Sequence, residues 1–214
     1  MDIKYGDADL GFIHKFILGG QKDDGFTLLL LHGTGGDEKD LLSIAQMISK
    51  SASSIISPRG KVLENGMPRF FRRFAEGVFD LADLKFRTNE LADFVIKASD
   101  KYKFDPHRVV ALGYSNGANI AASMLLLRPE SLSHAILFRA MIPLVPDKLP
   151  DLSDKKVFIS AGRYDTVILA TKVKELVALL ERANAKVTLN WEESTHSLTT
   201  GDIEKARTFW LTKL

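Results

Sequence analysis

The chain contains no cysteine. Disulfides, thiolate zinc sites and every cysteine-nucleophile mechanism are therefore excluded, and the composition fits a reducing compartment. Long hydrophobic runs are also missing. The longest apolar stretches, 26–31 and 124–127, fall far short of the ~20 residues of a membrane helix. Neither charge sign is in excess: 29 Lys+Arg stand against 27 Asp+Glu, a formal net charge of +2. That balance excludes a strongly basic nucleic-acid binder or an acidic tail as the dominant feature. The first residues carry Asp2 and Asp7 where a signal peptide needs a basic start and an apolar run. A cytoplasmic protein is expected.

What is present is 214 residues, 45% hydrophobic and 26% charged, the balance of a globular protein with enough chain for a substantial core. Extended and helical patterns alternate along it. Short β-rich runs at 12–18 and 26–31 are followed by a helix over about 40–50 and an apolar run at 54–57 that stops at Pro58. Residues 59–80 read as irregular. Leu84, Thr88, Leu91, Val95, Ala98 and Tyr102 recur at four- and three-residue steps and predict a helix. A buried-type strand at 108–113 runs directly into a helix at 116–127 that is apolar on most faces. Strands at 134–138, 157–161 and 186–191 alternate with helices marked by Leu169, Val173, Leu176 and Leu180, and by Ile203, Ala206 and Trp210. This alternation predicts an α/β fold: a mostly parallel central sheet with helices on both faces. No repeat, linker or low-complexity tract interrupts it, so one domain over 1–214 is expected. Only 139–156 separate two late strands, too few for a cap domain, which predicts an open, shallow cleft.

Gly113-Tyr114-Ser115-Asn116-Gly117 matches G-x-S-x-G. Alone the match is weak, arising by chance in roughly one chain in fifteen of this length. Its place between an apolar strand and a helix is what a nucleophile elbow requires, although a serine cap on a glycine turn would read the same way. A serine hydroxyl needs a base. Of the five histidines, His196 follows the last strand and precedes the last helix, where a loop reaches the carboxyl edge of the sheet. His14, His107 and His134 read as structural or solvent-facing, and His32 as shaping its loop. Asp165 follows the 157–161 strand and is either the acid that orients the histidine or a helix cap. The order Ser115, Asp165, His196 is that of the α/β-hydrolase fold. Backbone donors for a developing oxyanion are expected from Asn116 and from the loop His32-Gly33-Thr34-Gly35-Gly36, with Thr34 first and Gly35 as the near alternative. That loop lacks the Lys-Ser/Thr of a phosphate-binding loop.

Leu31-His32-Gly33-Thr34-Gly35-Gly36, the Ser115 pentapeptide, Asp165 and His196 together resemble the phospholipase/carboxylesterase branch of the α/β-hydrolases. So does the turn Ser57-Pro58-Arg59-Gly60. The resemblance runs from about residue 12 to 210 and implies a Ser115–His196–Asp165 triad with no metal or organic cofactor. Many members have Gln after the nucleophile and Pro after the acid, where this chain has Asn116 and Thr166. Members are often dimers, so a homodimer is an expectation, although no interface stripe stands out.

Residues 67–79 interleave Met67, Phe70, Phe71, Phe74 and Phe79 with Arg69, Arg72 and Arg73. One reading is an apolar acyl pocket with a cationic rim, in which Phe70 and Phe71 touch the substrate. A second is contact with a polyanion or membrane, and a third is a loop with packed Phe and solvated Arg. Arg139 either faces the cleft as a substrate contact or forms a buried ion pair. The expected activity is that of a serine carboxylesterase on short- to medium-chain esters, losing rate at acid pH as its histidine protonates. A thioesterase or lysophospholipase with the same machinery is the alternative, and a non-catalytic binding module stands further off. The expected partner is a small-molecule ester, with neither nucleic acid nor membrane.

Overall fold

The computed structural model describes residues 3–6, 10–20, 25–50 and 53–214. Its main sheet has eight strands. In chain order these are β1 (Ile3–Gly6), β2 (His14–Ile17), β3 (Thr27–Leu31), β4 (Ser54–Pro58), then after two small ribbons β9 (Val109–Tyr114), β10 (His134–Phe138), β11 (Lys156–Gly162) and β12 (Lys186–Glu192). Their spatial order is β1-β2-β4-β3-β9-β10-β11-β12. The six from β4 to β12 are parallel, while β2 runs antiparallel to β4 and β1 antiparallel to β2.

The central strands are continuous apolar runs because both of their faces are covered. Leu29 and Leu31 of β3 face the layer of α2 (Leu81–Tyr102), α3 (Asn116–Leu127) and α4 (Ala170–Arg182). Leu28 and Leu30 face the opposite layer of α1 (Leu42–Ser49) and α5 (Thr200–Lys213). Each fully buried leucine contributes about 1.5–3 kcal/mol. α3 sits deepest, with Asn116 to Leu126 all buried, which is why its sequence shows so little polar face. Residues 139–155 hold neither helix nor strand, and among the described residues there is no cap domain. Among the described residues, no helix is long and apolar enough to cross a membrane.

Two features differ from the expectations. β1 lies before the first expected strand and extends the sheet. The segment 59–80 is not irregular: it folds into two antiparallel ribbons, β5 (Val62–Glu64) with β6 (Met67–Arg69), and β7 (Arg73–Ala75) with β8 (Val78–Phe79). The first turns through Asn65 and Gly66, both at positive φ (51° and 80°), the geometry that an Asn-Gly hairpin turn requires.

Candidate active site

All parallel strands end on one edge, and the candidate groups gather there. Ser115 lies between β9 and α3 with φ 51° and ψ −114°, left-handed backbone that costs a non-glycine residue about 1–3 kcal/mol. Its surroundings impose it. Ser115 N–H donates to Phe138 O at 2.9 Å, and Asn119 N–H donates to Ser115 O at 2.9 Å. A side chain at Gly113 would come within 2.7 Å of the Ala118 backbone, and one at Gly117 would overlap Leu31 O. The two glycines let α3 start hard against the neighbouring strands.

His196 Nε2 lies 3.0 Å from Ser115 Oγ, and its Nδ1 lies 2.8 Å from Asp165 Oδ2. An ionised carboxylate only accepts, so Nδ1 carries the proton and Nε2 is left to accept from the serine hydroxyl. The other oxygen, Asp165 Oδ1, accepts from Val167 N–H (2.8 Å) and Ile168 N–H (2.9 Å). The aspartate thus also shapes the turn that precedes α4, but it is not the helix cap: that position is Leu169, which makes no side-chain cap bond.

The loop carrying His196 is gripped from inside. Arg139 Nε donates to Thr195 O (3.1 Å), and Nη2 to Ser197 O (2.7 Å) and Ser194 Oγ (2.9 Å). Its two terminal nitrogens also meet both oxygens of Asp202 at 2.8 Å, and neither side chain has any exposure. Asp202 caps α5 as well, in a reciprocal box with Thr199. Burial pushes the Asp202 carboxyl up, but hydrogen bonds from Arg139, Ser160 and Thr199 outweigh it and hold the group below the ordinary value. Tyr114 O–H adds a bond to His196 O at 3.1 Å. Arg139 therefore does not face the cleft; the ion-pair reading is the one observed.

On the opposite side, Gly35 N–H donates to Pro68 O (2.9 Å) and Gly36 N–H to Gly33 O (3.1 Å). Gly35 is thus spent as an oxyanion donor, whereas Thr34 N–H has no bond among the described residues. Thr34 Oγ1 accepts from Arg69 Nη1 at 2.7 Å. His32 braces this loop: its Nε2 accepts from Gly60 N–H (3.0 Å) while Nδ1 donates to Gly33 O (2.6 Å). Burial lowers the His32 pKa, which keeps the ring in the neutral form this pairing needs.

Phe70 and Phe71, expected as substrate contacts, belong to the core. Phe70 packs on the His32 ring (4.7 Å between centroids), and Phe71 sits edge-on to Phe79 at 5.1 Å. The arginines interleaved with them are paired: Arg69 with Glu64, Arg72 with Asp80, and Arg73 with Glu64 and Glu76. The space over Ser115 is a shallow, partly open chamber of about 20 Å³ lined by Thr34, Arg69, Arg73, Glu76, Asn119 and Met141, among others. Tyr114 and Asp202 were not singled out from the sequence. Each reaches the site through a partner distant in the chain, so no local pattern marks them. Among the described residues, no group of three or more His, Asp or Glu could hold a metal ion.

The model of the phospholipase/carboxylesterase family matches residues 13–213. The Bacillus subtilis (strain 168) protein named Putative hydrolase MhqD is 47% identical over 183 residues, covering 86% of this chain and 91% of that protein. The crystal structure of the Bacillus cereus carboxylesterase is 48% identical and superposes with a TM-score of 0.93 over 97% of each chain. A carboxylesterase from Mesorhizobium loti is 30% identical, with a TM-score of 0.89 over the whole of both chains.

Proposed function

Because the chain belongs to the phospholipase/carboxylesterase family, we propose that it is a serine carboxylesterase for short- to medium-chain carboxylic esters, with Ser115 as nucleophile, His196 as base and Asp165 as orienting acid. The observation that carries this reading is the continuous hydrogen-bonded line from Ser115 Oγ through His196 to Asp165 on a strained elbow. Ser115 Oγ bonds to the acyl carbon as its proton passes to His196 Nε2. Asp165 stabilises the imidazolium without taking its proton. The N–H groups of Asn116 and Thr34 receive the oxyanion, each worth about 3 kcal/mol in the transition state. The bond to the leaving alcohol oxygen breaks as His196 returns the proton. Water then repeats the sequence on the acyl-enzyme and releases the acid and free Ser115.

The charged lining over Ser115, with Arg69, Arg73 and Glu76, supports the short end of the substrate range over a lysophospholipid. The test is hydrolysis of p-nitrophenyl esters from acetate to palmitate by wild type and Ser115→Ala. Wild type should act best on the shortest esters, and the variant should lose on the order of 10⁴–10⁶ in kcat. Equal rates in the two proteins would remove Ser115 as nucleophile. An acyl thioester assayed beside its oxygen ester ranks the two activities.

A further inference from the structure

The chamber over Ser115 sets charged and polar groups beside Phe79, Met141 and Ile168. Arg69 is nearly sealed from solvent, with its side chain 3% exposed. Its Nε donates to Phe71 O (3.2 Å), and its Nη1 donates to Thr34 Oγ1 (2.7 Å) and meets Glu64 Oε2 at 3.1 Å. Those contacts leave its Nη2 without a hydrogen bond among the described residues. Asn116 and Asn119 also line the chamber. Each has its amide orientation set by a backbone donor: Phe70 N–H on Asn116 Oδ1 (2.7 Å) and Met141 N–H on Asn119 Oδ1 (2.9 Å). Both side chains therefore turn NH₂ groups away from those bonds, and Asn116 Nδ2 is buried with no partner among the described residues. A buried donor left unpaired costs about 1–3 kcal/mol, so acceptors are what this lining lacks.

One lining residue supplies one. Glu76, at the exposed turn of the β7–β8 ribbon, is the only carboxylate in the lining and is bound to Arg73. Glu64 pairs with both Arg69 and Arg73 without lining the chamber. Inside it, two guanidinium groups face one carboxylate, and that carboxylate sits on the rim.

We propose that this chamber selects esters that carry a second, free carboxylate on a short acyl group, such as half-esters of small dicarboxylic acids, and that Arg69 is the residue that reads it. The substrate carboxylate takes the open edge of Arg69, and Glu76 yields its place beside Arg73. Planar guanidinium suits this role because it stays charged when buried and binds carboxylates edge to edge. Burial, and then the charge of Arg73, pull Arg69 below the ordinary arginine value; the charge of a second anion opposes both effects. This inference rests on Ser115 being the nucleophile.

The experiment measures kcat/KM by pH-stat for monomethyl succinate, dimethyl succinate and methyl butyrate, in wild type, Ser115→Ala, Arg69→Gln and Glu76→Gln. Wild type should favour monomethyl succinate over both neutral esters by about 10- to 100-fold, the range of a charged hydrogen bond. That ratio should collapse in Arg69→Gln and rise in Glu76→Gln, opposite signs that a merely structural role would not produce. Should Arg69→Gln not fold, the rise in Glu76→Gln and competitive inhibition of wild type by free succinate carry the test. Equal or better turnover of methyl butyrate by wild type, with Ser115→Ala inactive, overturns the inference and leaves the esterase reading standing. So does a preference that survives in Arg69→Gln. Hydrolysis that persists in Ser115→Ala overturns the esterase reading itself.

Discussion

Arg139 and Asp202 meet through two parallel hydrogen bonds of 2.8 Å with both side chains wholly out of solvent, 63 residues apart in the chain. The same guanidinium holds the carbonyls of Thr195 and Ser197, on either side of His196. The ion pair is thus the anchor of the loop that bears the proposed base. Replacing Asp202 by Asn leaves a buried cation without its counter-charge, which costs about 3–5 kcal/mol. The expected outcome is a large drop in urea midpoint, together with a fall in kcat at temperatures where the variant remains folded. An unchanged kcat in the folded variant would confine the pair to stability.

The elbow separates strain from chemistry. Ser115 occupies φ 51°, which glycine adopts freely. Ser115→Gly and Ser115→Ala should both be inactive, but the glycine variant should be the more stable by about 1 kcal/mol, because alanine keeps the strained backbone. Paired thermal melts check this. Equal melting points would show that the turn carries no recoverable strain.

The oxyanion assignment places the work on the Thr34 backbone rather than its hydroxyl. Thr34→Val keeps the N–H and removes the acceptor for Arg69 Nη1. Its kcat should fall by no more than about tenfold, against the ~10²–10³ lost with a true oxyanion donor. A loss of a hundredfold or more would identify the hydroxyl itself as the donor.

His134 makes stability depend on pH. Desolvation, then the charges of Lys156 and Lys155, lower its pKa from 6.5 to about 4, and its Nδ1 accepts from Lys156 N–H at 3.2 Å. The unfolded chain binds a proton near pH 6.5 that the native state refuses. The stabilisation is therefore complete above 6.5 and is lost as pH falls from there toward 4. Because the ring is only partly buried, the loss should be about 1–2 kcal/mol rather than the full value of the shift. Urea midpoints at pH 7 and 4.5 measure it, and His134→Gln should flatten the difference. The Asp202 contribution disappears only further down, below the ordinary carboxylate range, since its pKa is depressed.

Much of this architecture is legible along the chain. The unbroken apolar runs of β3 and β9 mark strands buried on both faces, and Ser115, Asp165 and His196 each stand at a strand end. The ribbons β5 to β8 escape periodicity because strands of two or three residues show none, although Asn65-Gly66 was a local turn signal. Phe70 and Phe71 mislead for another reason: composition places aromatics near the site without revealing which side of the loop faces the sheet. Arg139 was ambiguous because its partner, Asp202, enters from α5 at the far end of the chain. Arg69 stood out as one of three rim arginines, but its burial and its pairing with Glu64 come only from the ribbon geometry.

Ser115 and His196 are 81 residues apart in sequence, and Asp165 and His196 are 31 apart. Closing such long loops is slow, and it is rewarded only when the intervening strands have already docked. During refolding, hydrolytic competence should therefore be the last property to return, after helix content and burial of Trp210 in α5. Catalysis in this protein doubles as a clock for the completion of its own folding.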